Sequence, residues 1–348
     1  ELRQLGGTYG RAISGQKEAA NQEKHAYRLA NGYFSDVVGQ YYGATYFGDT
    51  ARQDVTVMIK TMINVYKKRL ANNAWLSQAT KDKAIVKLNN IVIKVGYPDQ
   101  VRAIYSQLKI KTAAEGGDLL NNILNLAKIF RLDNFAKIKQ PVDRTRWAMP
   151  GNLVNACYDP SFNDITFPAA ILQAPFYSLG QTNSQNYGGI GAVIAHEISH
   201  AFDNNGAKFD EQGNMVNWWT DADYAAFEER TQAMIQEFDG ISYAGSQVNG
   251  KLVISENVAD GGGLSCALEA AKEDDDVDLK AFFNNWAKVW RIKATNEYRQ
   301  LLLSIDVHAP GPLRANVQAQ NMDDFYQAFD VTEQDGMWLA PEDRVNIW

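Results

Sequence analysis

The sequence predicts a mainly α-helical protein with a small antiparallel β-sheet. Apolar residues recur at the 3.6-residue helical period in five long windows. Five of the nine prolines crowd into residues 141–175, where a helix cannot continue. Short β-prone runs fall inside that stretch and once beyond it.

The clearest helix covers 51–72, where Val55, Met58, Ile59, Met62, Ile63, Tyr66 and Leu70 form one stripe. Similar stripes over 80–95, 118–138, 221–238 and 279–303 read as core-facing helix surface. Pro141, Pro150, Pro160, Pro168 and Pro175 divide the middle of the chain into short strands and turns, with strands expected at 145–158 and 163–168. A further strand is expected at 247–254, with Asn249-Gly250 as a tight turn. The run Glu273, Asp274, Asp275, Asp276 reads as a solvated loop rather than a calcium site.

At 348 residues the chain suggests about two domains, or one large one, and burying a core is no difficulty. There are 34 basic and 41 acidic side chains, a net charge of -7, and no dense Lys/Arg stripe, which argues against nucleic acid or an anionic membrane as partner. No apolar run approaches the ~18 residues that span a bilayer. Cys157 and Cys266 allow at most one bridge, and no Asn-x-Ser/Thr acceptor occurs, so a reduced, unglycosylated setting is expected.

Histidine is more informative. Of His25, His196, His200 and His308, two lie within the pentapeptide HEISH at 196–200. On a helix, His196, His200 and Asp203 fall within about 60° of one another, whereas Ile194, Ile198, Ala201 and Phe202 lie roughly opposite. The core-facing side is thus already taken by apolar groups. Two imidazoles on successive turns suit zinc, which needs a third protein ligand if a water is to keep the fourth position. Glu197 is placed to accept a proton from that water. Gly188, Gly189 and Gly191 lack a phosphate loop's spacing and Lys, so they read as close-packing positions.

One class of HExxH enzymes takes its third ligand from a His six residues after the second, with a Gly midway. Gly206 and Asp203 occupy those positions here and exclude it. Another class uses a Glu from a later helix. Glu256 in ENVADGGGL is the best candidate, with Asp260 one turn on and Gly261–Gly263 allowing close helix approach, although spacing alone also permits a surface or capping Glu. Asp203 and Asp260 are the carboxylates available to receive the second N–H of each imidazole.

These residues resemble the neprilysin and endothelin-converting-enzyme family of zinc peptidases, in its bacterial oligopeptidase form. HEISHAFD followed by ENVADGGGL is similar to the family's paired zinc motifs. So are NACYDPSFNDITFPAAILQAPFY (155–177), DVHAPGPLR (306–314), GNMVNWWT (213–220) and WLSQATKDKAIVKLNNIVIKVGYP (75–98), which carry the likeness over roughly residues 30–348. The resemblance implies a thermolysin-like catalytic lobe over 46–348, with 1–45 as a helical connection to an N-terminal lobe, in cis or as a separate chain. It implies one Zn²⁺ on His196, His200 and Glu256, with Glu197, Asp260 and His308 as catalytic groups. In the family the match to His308 steadies the oxyanion and the match to Arg314 binds a substrate carbonyl, with Asp306 orienting one of the two. Asn155 and Ala156 match a strand that pairs with an extended peptide. Phe176, Val193 and Trp290 match the pocket for the bulky apolar residue after the scissile bond. Animal members end in Cys-x-aliphatic-Trp, but this chain ends VNIW with Val345 at the Cys position, so both cysteines are expected as free thiols.

The expectation is therefore a zinc-dependent endopeptidase that cuts small peptides on the amino side of bulky hydrophobic residues, in the bacterial cytoplasm, with a secreted or surface-anchored form as the alternative. The rival readings are a lobe inactive without its N-terminal partner and a peptide-binding module on a peptidase scaffold. A zinc aminopeptidase is disfavoured because no Gly-x-Met-Glu-Asn segment is present.

Overall fold

The computed structural model describes residues 2–348. Helices α1 (Leu2–Ser14), α2 (Gln22–Tyr46), α3 (Gly48–Asn72) and α4 (Gln78–Asn89) lead into strand β1 (Val92–Gly96). Helix α5 (Leu119–Phe135) precedes the proline-rich stretch, which supplies β2 (Cys157–Asp159) and β3 (Asp164–Pro168). Helix α6 (Asn183–Asn186), a π-turn (Tyr187–Gly191) and α7 (Ala192–Ser199) then follow without a break. Helix α8 (Asp221–Phe238), a hairpin of β4 (Ser242–Tyr243) and β5 (Ser246–Gln247), and helices α9 (Ile254–Ala271), α10 (Leu279–Val289), α11 (Asn296–Ile305), α12 (Gly311–Gln320) and α13 (Asp323–Phe329) complete the order.

The stripes at 51–72, 118–138 and 221–238 are α3, α5 and α8. Their starts follow from side-chain caps where one is available. Asp118 accepts the Asn121 N–H ahead of α5, and Thr220 and Asp223 form a capping box ahead of α8. Two of the expected helices are shorter than their apolar windows. In 80–95 the helix stops at Asn89, and the β-branched run Ile91-Val92-Ile93 turns the remainder into β1. In 279–303 the chain leaves the helix after Val289, and Thr295 caps a separate α11 by accepting the Tyr298 N–H.

Two strand expectations also need correction. Of 145–158 only Cys157 onward is strand. The expected strand at 247–254 lies earlier, as a hairpin turning at Ala244 and Gly245 (φ 50° and 82°), the twist a two-residue loop needs. Asn249 instead caps a turn, its Oδ1 accepting the N–H groups of Lys251 and Leu252. The main sheet is small, as expected, but mixed. Its order is β1-β3-β2, with β1 parallel to β3 (Val92 opposite Asp164) and β2 antiparallel to it (Cys157 opposite Thr166). Strand β2 is an edge of this sheet.

Helix α3 runs through the core, with Val55, Ile59, Met62, Tyr66 and Leu70 all buried. Behind α7, the rings of Phe202, Trp348, Trp75 and Phe227 pack in sequence at centroid distances of 5.0, 5.4 and 6.3 Å, giving that helix a rigid apolar backing. Against its other flank lies α9. A Cβ on Gly263 would stand 2.6 Å from the Ala192 carbonyl oxygen and 2.7 Å from the His196 nitrogen, so only glycine permits this approach. That contact fixes the distance between the HEISH segment and Glu256.

Candidate metal centre

The turn into α7 is wedged between its neighbours. A Cβ on Gly188 would sit 2.1 Å from the Phe282 carbonyl oxygen, which bears out the close-packing reading of the glycines there. Helix α7 ends at Ser199, short of the expected helical reach to Asp203, but Ile194 and Ile198 on it and Ala201 and Phe202 in the turn that follows are buried in the core as expected. His196 and Glu197 are buried on the opposite side, at the floor of a cleft of about 430 Å³.

Three ligand atoms converge there. His196 Nε2 and His200 Nε2 are 3.1 Å apart, and Glu256 Oε2 lies 3.2 Å from the first and 3.4 Å from the second. Bonds of about 2.0–2.1 Å at tetrahedral angles place zinc ligands roughly 3.3 Å apart, so this triangle has the size of a zinc face. With each Nδ1 set against a carboxylate, both Nε2 atoms present lone pairs to each other, an arrangement that a cation between them would relieve, and Glu256 Oε2, buried without a hydrogen-bond partner, points the same way. Glu197 offers a carboxylate oxygen within 4.8 Å of the His196 and His200 ligand atoms.

The far side of each imidazole is held as expected. His196 Nδ1 is 2.8 Å from Asp260 Oδ1, and His200 Nδ1 is 2.8 Å from Asp203 Oδ2, which leaves each Nε2 turned toward the shared centre. Asp260 is clamped from beyond by Arg314, whose Nε–H and Nη2–H donate to its two oxygens at 2.6 and 2.7 Å. The Arg314 guanidinium also lies 3.7 Å above the Trp290 ring. Burial would raise the Asp260 pKa, but the Arg314 charge and the bond to His196 hold it at about 2. Burial would likewise discharge the histidines, yet Asp260 and Glu256 raise His196, and Asp203 and Glu256 raise His200 well above the ordinary value. The pocket's electrostatics therefore favour positive charge at its centre.

The remaining expected residues gather around this point. His308 Nε2 is 3.2 Å from Glu256 Oε2, while Asp306 Oδ1 accepts the His308 backbone N–H at 3.0 Å and lies 2.8 Å from its Nδ1, so Asp306 orients His308. Asn155, Ala156, Phe176, Val193, Trp290 and Arg314 all line the cleft. Phe176 and Trp290 meet edge to face at 6.4 Å. Asn155 and Ala156 precede β2 rather than lie within it and take no part in its ladder. His25 lies in α2 and does not line the cleft.

Some of the site could not have been found by reading along the chain. The Arg314–Asp260 clamp joins residues 54 positions apart. Cys157 also lines the cleft, its thiol pushed up to about 12 by burial and by the Glu197 charge. Asn205 donates to Ser255 at 3.1 Å across the cleft's other end. Both cysteines are free thiols.

A buried HExxH helix, a Glu from a second helix and a peptide-sized cleft beside a sheet edge have the make-up of a metallopeptidase centre. Profiles described as peptidase family M13 match residues 1–98 and 155–345, and the chain belongs to that family. It is 55% identical over its whole length to a neutral endopeptidase of Lactococcus lactis, covering 55% of that protein. It is 31% identical to human neprilysin, with 97% of this chain covering 47% of the relative. Among solved structures it is similar to PepO from Lactobacillus rhamnosis (50% identity, TM-score 0.93, covering 100% of this chain and 55% of that one). It is also similar to the Mycobacterium tuberculosis zinc metalloprotease Zmp1 in complex with an inhibitor (37%, TM-score 0.89, covering 98% and 53%). The chain thus spans about half the length of the relatives it matches.

Proposed function

We propose that this chain is the catalytic lobe of a zinc-dependent endopeptidase acting on small peptides, with the lobe proper over 46–348 and residues 1–45 leading to a further lobe. The observation that carries the reading is the triangle of His196 Nε2, His200 Nε2 and Glu256 Oε2 with sides of 3.1, 3.2 and 3.4 Å. These three residues would hold one zinc ion, which when bound would supply Lewis acidity and an activated water.

The chain's own groups then divide the work. Glu197 accepts the proton of the attacking water and returns it to the leaving amine. His308, steadied by Asp306, donates from Nε2 to the developing oxyanion, a contact worth roughly 2.7–4 kcal/mol in comparable sites. Asn155 and Ala156 offer main-chain groups to an extended substrate alongside the sheet edge. Phe176, Val193 and Trp290 receive a bulky apolar side chain after the scissile bond, and Arg314, engaged with Asp260, retains its remaining donors for a substrate carbonyl. The free thiols at Cys157 and Cys266 support a reduced, bacterial cytoplasmic setting.

The test is cleavage of a short peptide with Phe or Leu after the scissile bond, sensitive to chelator and lost in a Glu197→Gln variant that still binds zinc. Near-wild-type turnover by that variant would contradict the role given to Glu197.

A second reading, that full activity needs an additional lobe in cis or in trans, is favoured by α5. There Leu119, Leu120, Leu124, Leu132 and Phe135 are all more than half exposed on one short helix. Adding a candidate N-terminal half would raise peptide cleavage on this reading and leave it unchanged otherwise.

A further inference from the structure

One buried cation near the site is not held by a carboxylate. Lys87, on α4, is fully buried, and its ammonium donates to the carbonyl oxygens of Gly206 at 2.5 Å and Phe209 at 2.7 Å. The rings of Tyr158 and Trp218 each lie 5.6 Å away. Burial lowers its pKa to about 7, against the pull of Asp203, Asp210 and Glu211. A methionine would fill much the same space without the cost of burying a charge, so the donated hydrogen bonds are what distinguish lysine at this position.

Those bonds lead to the metal centre in three steps. The carbonyls belong to the turn Gly206–Lys208 and the residue after it, just beyond α7. The same turn presents the N–H groups of Asn205 and Gly206 to Asp203 Oδ1 at 2.8 and 2.7 Å. Asp203 Oδ2 in turn holds His200 Nδ1 at 2.8 Å. The Trp218 indole N–H shares both carbonyls, at 3.2 and 2.9 Å, but spans the turn from its own side of the loop. Lys83, one turn earlier on α4, pairs with Glu211 at 2.6 Å just past the turn, but among the described residues Lys87 is the α4 side chain that bonds the turn's own carbonyls.

We propose that Lys87 is a positioning residue of the metal centre, acting through the 206–209 turn and Asp203 to hold the His200 ring. This rests on reading His200 as a metal ligand. Without the ammonium both carbonyls lose their donor from α4 and keep only the Trp218 indole, the N–H groups that hold Asp203 become less well placed, and His200 samples orientations in which Nε2 misses the shared centre.

The test uses the full chain and two readouts: zinc affinity by chelator competition, and amide hydrogen exchange at Asn205 and Gly206 in the metal-free chain. Lys87→Met should weaken zinc binding about tenfold, the low end for a group supporting a ligand, and speed exchange at both amides about tenfold. The control is Lys94→Met. Lys94 is another buried lysine, in β1, whose ammonium pairs with Asp164 and donates to the Arg146 carbonyl rather than to the 206–209 turn. Its loss should lower the thermal midpoint and leave both readouts at wild-type values. Should Lys87→Met fail to fold, Trp218→Phe removes one donor to the same carbonyls and should weaken zinc about threefold. Wild-type zinc affinity and exchange in folded Lys87→Met would overturn the inference, as would an equal loss of affinity in Lys94→Met. A wild-type chain that binds no zinc would refute the metal reading and this inference together, whereas zinc-binding wild type with an indistinguishable Lys87→Met overturns the inference alone.

Discussion

His196 and His200 present the same nitrogen to the same centre and lean on a carboxylate at the same 2.8 Å, yet the two carboxylates are held by different means. Asp260 sits on α9 and is gripped by a charged side chain, Arg314, from α12. Asp203 sits one turn beyond its own histidine and is gripped by two backbone N–H groups. The first arrangement is a buried ion pair between distant segments, so it contributes to the fold as well as to the ligand. The second is local, and its failure should be felt mainly by the ligand.

Substitution at each carboxylate probes that contrast. The largest effect is expected for Asp260→Asn. Its amide must turn an N–H toward one Arg314 donor, leaving a guanidinium that is only 11% exposed without its counter-charge. Stability should fall by about 3 kcal/mol in denaturant unfolding, with zinc affinity falling about tenfold or more alongside. Asp203→Asn should cost about 1 kcal/mol or less of stability, because the amide oxygen can still accept from Asn205 and Gly206. Its N–H then faces His200 Nδ1 and favours the tautomer with a proton on Nε2, so zinc affinity should drop about tenfold in chelator competition. Equal stability losses in the two variants would break the distinction.

A third buried carboxylate sharpens the contrast from outside the site. Asp223 accepts from the Ser77 N–H and hydroxyl at 2.7 and 2.8 Å and from the Thr80 hydroxyl at 2.7 Å, linking α8 to the start of α4 with no histidine involved. Burial would raise its pKa, but bonds from Thr220, Ser77 and Thr80 hold it at about 2 against an ordinary 3.8. A depressed folded-state pKa means that its contribution is complete above about pH 4 and is lost as pH falls through about 2. Asp223→Asn should therefore flatten the acid limb of a stability profile between those values, by on the order of 1 kcal/mol after solvent screening. Zinc affinity at neutral pH should not change.

The same division between local and distant explains what the sequence could reveal. His196, His200 and Asp203 fall on one helical face within eight residues, and Glu256 and Asp260 lie one turn apart, so helical geometry brought out the ligand candidates and the two carboxylates available to them, while the His196–Asp260 pairing needed the packing of α7 on α9. Nothing in the order of residues links Asp260 to Arg314, or sets the buried Lys87 apart from Lys81 and Lys83, the half-buried lysines of the same helix. The elements follow the same logic. Helix α8 has its period and a capping box in consecutive residues, and its bounds were legible. Strand β1 pairs in parallel with a strand some seventy residues later, so its run continued the helical pattern of α4 until β3 was in place. The hairpin at 242–247 has only two residues per strand, too few for alternation to register.

The central claim is that His196, His200 and Glu256 hold one zinc ion, and metal content is its most direct test. After loading and removal of excess metal, the wild-type chain should retain one zinc per chain, and a folded Glu256→Gln variant should bind it far more weakly. A wild-type chain that retains no zinc, or a Glu256→Gln variant that retains it with wild-type affinity, would contradict the account.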